Sequence, residues 1–139
     1  MDLSYSSEYR ELAAQVALFL GDHWDVERTR DKAYVRDFRA KAIEAGYLYR
    51  SVPREYGGSE QSANVLMAQI IREEFKSVRA PREISNIGTT LVVPTLLEHG
   101  EEWQRAKFIR PIIEGKERWA QGYSEPGAGS DLASLTTRG

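Results

Sequence analysis

The sequence predicts a mainly α-helical protein in which the residues after Gly115 begin a β-rich region. Apolar residues recur at helical spacing through most of residues 7–115. Proline and glycine fall mainly between these helical segments, where they favour turns. After Gly115, larger side chains alternate with smaller ones, which is the two-residue period of a strand. We therefore predict a helical domain over residues 1–115 and the start of a second, β-type domain over residues 116–139.

The first two predicted helices have clear end signals. Ser6 or Ser7 is expected to cap the first helix, which ends near Trp24. The second follows the charged stretch 26–32 and ends at Gly46, where we expect a left-handed cap. Their apolar stripes are Leu12, Val16, Phe19 and Leu20 in the first helix, and Val35, Phe38, Ala42 and Ala45 in the second.

Three further helices are predicted after the irregular stretch 47–60. Ser59 or Ser62 is expected to open the third, and the fourth runs roughly from Ile87 to His99. The fifth spans residues 101–115, and Pro111 should bend or shorten its last turn. The predicted apolar positions are Val65, Leu66, Ile70 and Phe75, then Leu91, Val92, Leu96 and Leu97, then Trp103, Phe108, Ile109, Ile112 and Ile113.

The stretch 117–123 is predicted to be a strand, because Trp119, Gln121 and Tyr123 alternate with smaller residues. A lone strand has no partner for its ladder of hydrogen bonds. We therefore expect a β-rich region to follow residue 139.

Composition excludes several classes of function. A net charge of −2 gives no basic footprint for nucleic acid, and no apolar run is long enough to span a bilayer. Cysteine is absent, and His23 and His99 lack metal-ligand spacing, so no metal site is predicted. The first residues resemble neither a signal peptide nor a transit peptide, which favours a cytoplasmic location.

The segment 124–131, SEPGAGSD, is the strongest candidate for a ligand site. Gly127 and Gly129 let a backbone approach a ligand and present N–H groups to an anion. Ser124 and Ser130 add hydroxyl groups, and Asp131 can cap the residues that follow. The alternative is a surface turn held by local hydrogen bonds, and from the residue types alone that alternative is favoured.

Other candidate sites are better explained by structure than by chemistry. Tyr56 or Arg54, in the stretch 52–58, could enter a pocket, but a Pro/Gly turn packed by an aromatic residue is the preferred interpretation. The pairs Glu73–Glu74 and Glu101–Glu102 are neighbours on a helix, so their side chains face different directions.

Three stretches of the sequence resemble the acyl-CoA dehydrogenase family, in the right order. The stretch 123–138, YSEPGAGSDLASLTTR, resembles the family's Glu-Pro-Gly-Ala-Gly-Ser-Asp hallmark. VPREYGG, residues 52–58, resembles the loop between the family's second and third helices, and residues 96–117 resemble the stretch that precedes the flavin loop. The resemblance implies an N-terminal helical bundle, with the first strand and flavin loop of the middle β-domain at the C-terminal end.

The resemblance also implies a function, namely FAD-dependent α,β-dehydrogenation of an acyl-CoA thioester. Electrons would pass to an electron-transferring flavoprotein or a similar acceptor, and the full-length protein would be a homo-oligomer, usually a tetramer. Ser124 would bond the isoalloxazine ring, and Ser130 would also contact the CoA part of the substrate. The implied cofactor-binding residues are Gln121, Gly122, Tyr123, Ser124, Gly129 and Ser130.

No catalytic residue is assigned, because the family's base glutamate belongs to a later domain and is expected beyond residue 139. At Gln121 and Gly122 many relatives have bulkier residues, so this chain departs from the family pattern there. Two alternatives are an acyl-CoA oxidase or flavin monooxygenase of the same superfamily, and a non-catalytic helical interaction module. The isolated 139 residues are expected to be inactive and to bind FAD poorly.

Overall fold

A computed structural model describes residues 7–138, except for the side chain of Leu132. Five α-helices follow one another, which confirms the predicted mainly helical fold. They are α1 (Ser7–His23), α2 (Lys32–Glu44), α3 (Val65–Ser77), α4 (Val93–His99) and α5 (Glu102–Ile113). Short 3₁₀ turns occur at Val26–Arg28, Arg54–Tyr56 and Leu132–Ser134, and a π-helical turn, Gly88–Val92, leads into α4.

The observed helix caps confirm some of the predicted caps and contradict others. Gly46 has a φ of +86°, and Tyr47 N–H donates to the Ala42 carbonyl at 2.9 Å, so the left-handed cap of α2 is confirmed. The cap of α3 is Asn64, whose side chain accepts from Met67 N–H. The prediction of Ser59 or Ser62 at that position is therefore wrong. Ser6, one of the two predicted caps of α1, lies outside the described residues.

Ser59 has a different role from the predicted one. It is fully buried, and its hydroxyl donates to the Leu48 carbonyl at 2.9 Å. A helix cap needs its side chain beside free N–H groups. Because the chain stays irregular until residue 64, no such groups lie beside Ser59.

The core forms where the helices meet, with α1 packed on α3 and α4 packed on α5. Phe38, Phe75, Ile109 and Ile112 are at most 1 % exposed. Most predicted apolar stripes contribute to this core, but four predicted members are exposed because the outer edge of each stripe has no neighbouring helix. These four are Ala45, Val65, Leu91 and Trp103.

Two prolines lie in the helices that pack under the C-terminal segment. Pro94 occupies the second position of α4, directly after the π-helical turn. Pro111 lies inside α5, which ends two residues later at Ile113. Gly115 follows with a left-handed φ of +72°, which accounts for the end of this helix, so the bend or shortening expected from Pro111 stays a prediction. Gly88 begins the π turn, and a Cβ there would come within 2.8 Å of Ile112 Cγ2, so glycine permits this close approach.

The predicted strand at 117–123 is not formed in the described part of the chain. Residues 117–124 have no regular secondary structure, and one isolated antiparallel bridge joins Glu125 to Ala128. The physical reason is that residues 7–138 contain no other strand with which this stretch could pair. Residues 116–139 as the start of a β-domain therefore remain a prediction.

Candidate functional site

The candidate site is the loop over residues 121–131, which follows a short anchored stretch. Trp119 packs edge-on against Phe108 of α5, with ring centroids 5.5 Å apart. Beyond Trp119 the chain leaves the helices, and Tyr123 is 88 % exposed. Gln121, Gly122 and Ser124 are also exposed. The predicted cofactor-binding residues thus share one solvent-facing segment.

A tight turn holds the centre of the loop. Ala128 N–H donates to the Glu125 carbonyl at 3.1 Å, and Ala128 is only 2 % exposed. Asp131 accepts a hydrogen bond from Ala133 N–H at 3.1 Å, so the expected capping role of Asp131 is confirmed. Ser134 Oγ donates to the Gly127 carbonyl at 3.0 Å, which ties the capped 3₁₀ turn back to the glycines.

Glu125 closes the loop, a role that the sequence did not reveal. Its carboxylate accepts from the N–H and hydroxyl of Thr136, at 3.0 and 2.9 Å, and from the N–H and hydroxyl of Thr137. These hydrogen bonds lower the pKa of Glu125 to about 2. The bond from the Thr137 hydroxyl has the largest effect, and the bonds from Thr136 come next. In the sequence, the only indication of this role was the pair of threonines about eleven residues after Glu125. Spacing alone does not show that the loop closes.

The residues present fit a ligand that accepts hydrogen bonds. Among the described residues, the hydroxyl groups of Ser124 and Ser130 have no protein partner, and the N–H groups of Gly127 and Gly129 are likewise unused. A Cβ built at Gly122, Gly127 or Gly129 would meet nothing within 4 Å. The loop therefore offers free donors and open space to a group such as the flavin ring.

The loop does not line the cavities of about 540, 360 and 800 Å³ that the helices and their connecting segments form. One of these cavities, of about 360 Å³, lies between the π turn, α4 and the end of α5. Thr89, Thr90 and Pro94 contribute to its wall. A π-helical turn often marks a functional position, which makes this cavity the second feature of interest.

Tyr56 packs the turn at residues 52–58, as the preferred interpretation held, whereas Arg54 lines a groove of about 800 Å³. Tyr56 is 5 % exposed, and its hydroxyl lies 2.9 and 3.0 Å from the two carboxylate oxygens of Glu102. Arg110 Nη2 donates to the Glu55 carbonyl at 3.2 Å. These contacts fix the turn against α5 rather than directing Tyr56 into a pocket.

Residues 7–138 contain neither a cluster of metal ligands nor a helix suited to a membrane. No three His, Asp or Glu side chains among residues 7–138 lie together as metal ligands. None of the described helices has the length and apolar character that crossing a bilayer requires.

Comparison with known proteins gives a consistent result. The family model "Acyl-CoA dehydrogenase, N-terminal domain" matches residues 6–116. The acyl-CoA dehydrogenase FadE26 of Mycobacterium tuberculosis is 32% identical over 99% of this chain and 36% of its own length. The acyl-CoA dehydrogenase IpdE1 of Mycolicibacterium smegmatis is 39% identical over 67% of this chain and 23% of its length.

Solved structures support the same fold. The ChsE4-ChsE5 complex from Mycobacterium tuberculosis matches with a TM-score of 0.61 and 30% identity, over 97% of this chain and 35% of the matched chain. The Tcur3481-Tcur3483 steroid ACAD matches with a TM-score of 0.59 and 33% identity, over 99% and 37% of the two chains. The chain thus spans roughly a third of the length of these relatives, in the region of their helical domain. It belongs to the acyl-CoA dehydrogenase family and carries that family's N-terminal helical domain.

Proposed function

We propose that this chain is the N-terminal part of an FAD-dependent enzyme that dehydrogenates an acyl-CoA thioester between its α and β carbons. The observation that carries the proposal is the loop 121–131. This loop contains the family's hallmark sequence, and it has unused hydrogen-bond donors and open space beside its glycines. The family match supports the class of enzyme, and the loop supports the cofactor.

The residues proposed to hold the cofactor are the exposed members of the loop. The Ser124 hydroxyl would bond the edge of the isoalloxazine ring, and Gly129 and Ser130 would present N–H groups. When bound, FAD supplies a hydride acceptor for the β-hydrogen of the substrate. Donors fixed before the reaction stabilise negative charge on a ring of this kind without reorganising. The turn held by Glu125 and Ala128 would supply that rigidity.

Ser130 is also proposed to contact the CoA portion of the substrate. Gly127 and Gly129 keep the adjacent surface free of side chains, so a bulky thioester can approach the backbone. No residue of this chain is proposed as the catalytic base. The only carboxylate at the centre of the loop, Glu125, is fully engaged by Thr136 and Thr137.

The relatives suggest narrower choices of substrate and partner. Tcur3481-Tcur3483 is described as a steroid ACAD, so we propose to include CoA thioesters of steroid-derived acids among the test substrates. Both solved relatives pair two differently named chains. We therefore propose a second, related subunit as an alternative to the homotetramer, and a mass measurement of the purified assembly distinguishes the two.

The experiment uses the full-length protein purified with its natural cofactor. We expect a flavin absorbance band that bleaches under anaerobic conditions when an acyl-CoA substrate is added. Ser124→Ala should slow this bleaching. Ser62→Ala serves as the matched control, because Ser62 is an exposed serine outside the loop whose hydroxyl has no partner among the described residues. A protein that lacks both flavin and acyl-CoA-dependent bleaching would sink the proposal.

A second measurement separates a dehydrogenase from an oxidase. The reduced enzyme should pass electrons to an artificial acceptor or to an electron-transferring flavoprotein faster than it consumes oxygen. Rapid oxygen consumption would instead support the acyl-CoA oxidase or monooxygenase alternative.

A further inference from the structure

A groove of about 800 Å³ lies between α2, the turn at residues 54–58 and the C-terminal end of α5. It is separate from the loop at residues 121–131, none of which lines it. Six basic side chains and three acidic ones line this groove, although the whole chain has a net charge of −2. The six are Lys32, Arg36, Arg39, Arg54, Arg110 and Lys116.

Most of these positive charges are not neutralised by carboxylates. In the described part of the chain, the side chains of Lys32 and Arg54 make no hydrogen bond or ion pair. Arg39 donates through Nε to the Arg82 carbonyl at 3.0 Å, and Arg110 donates to a backbone carbonyl as described above. A carbonyl acceptor orients a guanidinium group but leaves its net charge available to a ligand.

The acidic residues of the groove offset only part of this charge. Asp37 lies 3.6 Å from Arg36, and Glu114 lies 2.5 Å from Lys116. Glu44 lines the same groove near the end of α2, without a partner among the described residues. The groove therefore keeps a surplus of positive charge, and its concave walls concentrate the resulting field.

The three cations on α2 are arranged in a line along the helix. Lys32, Arg36 and Arg39 are spaced four and three residues apart on α2, so they share one face over about 10 Å. Arg54, from the turn after Pro53, and Arg110, from α5, line the same groove. A compact anion needs converging donors, whereas a line of cations suits carboxylates that are spaced along a chain.

Backbone donors that would favour a phosphate are already used. Gly57 N–H donates to the Arg54 carbonyl at 3.0 Å, and Gly58 N–H donates to the Pro53 carbonyl at 3.1 Å. Gly115 N–H donates to the Ile112 carbonyl at 3.0 Å. Phosphate cradles depend on free, successive N–H groups, and these glycines provide none.

Apolar residues also line the groove. Ala40 is exposed, and Ile43 and Ile84 are half-buried. An apolar side chain from a ligand could be buried there while its acidic neighbours meet the basic walls. We propose that this groove binds an acidic segment of a partner polypeptide, anchored by an apolar side chain on Ile43 and Ile84.

The test measures binding of a fluorescein-labelled helical peptide that carries glutamate on one face and a leucine at its centre. Fluorescence anisotropy with the full-length protein should show binding that weakens as salt rises, because the contact is electrostatic. The combined change Lys32→Glu, Arg36→Glu and Arg54→Glu should weaken binding at least about tenfold, since like charges would then face each other.

The matched control reverses three exposed basic residues on α1 and α3, which do not line the groove, namely Arg10→Glu, Arg72→Glu and Lys76→Glu. It makes the same change in net charge and should alter the affinity by less than about twofold, because distant exposed charges are screened. Circular dichroism checks that both variants fold. If the reversal variant unfolds, Lys32→Gln, Arg36→Gln and Arg54→Gln replaces it, with a smaller loss expected.

Three results would overturn the proposal. The full-length protein could fail to bind the peptide at low salt, or the groove variant and the control could lose affinity equally. Inorganic tripolyphosphate or vesicles of anionic lipid could also bind more tightly than the peptide at the same groove. Each outcome would assign the positive charge to another role.

Discussion

At Glu125, one carboxylate gathers four donors from two adjacent threonines and so closes a loop that carries the candidate ligand residues. Donors that point at a carboxylate stabilise its charged form, which explains why the pKa of Glu125 falls to about 2. The sequence alone showed Glu125 as one letter of a motif. Only the position of Thr136 and Thr137 in space shows what its side chain does.

The depressed pKa of Glu125 predicts how the loop responds to acid. Since the folded-state pKa lies below the ordinary value of 4.5, the closure contributes its full stability above that pH. This contribution should be lost as the pH falls from 4.5 towards 2. A carbon-13 NMR titration of the Glu125 carboxyl should give a midpoint near 2, and the double change Thr136→Val and Thr137→Val should raise it. A midpoint near 4.5 in the unaltered protein would contradict the closure.

Tyr49 connects three parts of the core through its phenol group. Its hydroxyl accepts from Ile84 N–H and donates to the Ile113 carbonyl, both at 3.0 Å. Tyr49 also has a left-handed backbone with a φ of 48°, and it is 5 % exposed. Burial, the largest effect, raises the pKa of the Tyr49 phenol, so the group remains protonated and keeps its donor.

Removing the Tyr49 hydroxyl should therefore weaken the fold. We expect Tyr49→Phe to lower the free energy of unfolding by about 1–3 kcal/mol, because one buried and one part-buried backbone group lose their partner. Tyr47→Phe is the control, since the Tyr47 hydroxyl has no partner among the described residues, and it should stay within about 0.5 kcal/mol. Urea unfolding measures both variants, and equal effects would show that the hydrogen bonds of Tyr49 carry no special weight.

At the scale of elements, the two ends of a helix differ in how well the sequence predicts them. A glycine after an apolar stripe is a strong stop signal, and Gly46 confirms it. A start signal is weaker because several polar residues can cap a helix. Ser59, Ser62 and Asn64 all suit the role by type, and the observed choice, Asn64, depends on where the loop before α3 packs.

Gly46 and Gly21 allow a matched test of the left-handed cap at the end of α2. Gly46→Ala should destabilise the protein by about 1–2 kcal/mol, because a Cβ is strained at a φ of +86°. Gly21→Ala should stabilise it by about 0.5–1 kcal/mol, because Gly21 lies inside α1 with nothing within 4 Å of its added Cβ. Thermal unfolding followed by circular dichroism should show shifts of opposite sign. Shifts of the same sign would contradict the cap.

The missing strand at residues 117–123 illustrates a limit of local pattern. Alternating side chains indicate a segment whose two faces differ, as in a strand. A strand forms only through hydrogen bonds to a neighbouring strand. Residues 7–138 supply no such neighbour. The helices needed no equivalent help, because their hydrogen bonds are internal to each segment.

For the whole molecule, the core explains which apolar positions matter. Phe75 is fully buried, and its ring lies 6.0 Å from the ring of Phe38. Val65 is on the same helix and was predicted for the same apolar face, yet it is 87 % exposed. Helical spacing therefore identified the face, while packing decided its width.

This difference gives a prediction for overall stability. Phe75→Ala should lower the free energy of unfolding by about 3–5 kcal/mol, because it leaves a cavity at the centre of the core. Val65→Ala should change the free energy by no more than about 0.5 kcal/mol, as expected for an exposed site. Chemical denaturation measures both variants. The comparison requires that the free energy of unfolding falls with denaturant concentration at the same slope in each. Similar losses for the two changes would mean that Val65 is buried in the folded protein.

The sequence by itself determined the helical class, the approximate position of all five helices, the left-handed cap at Gly46 and the hallmark loop at residues 124–131. These features are local, because helix periodicity, glycine conformation and a contiguous motif depend on neighbours in the chain. The tertiary structure decided that Asn64 begins α3, that Val65 and Leu91 face outward and that Glu125 closes the loop. It also decided that cations from α2, the turn after Pro53 and α5 share one groove. Those features join residues that are distant in the chain, so they depend on how the helices pack.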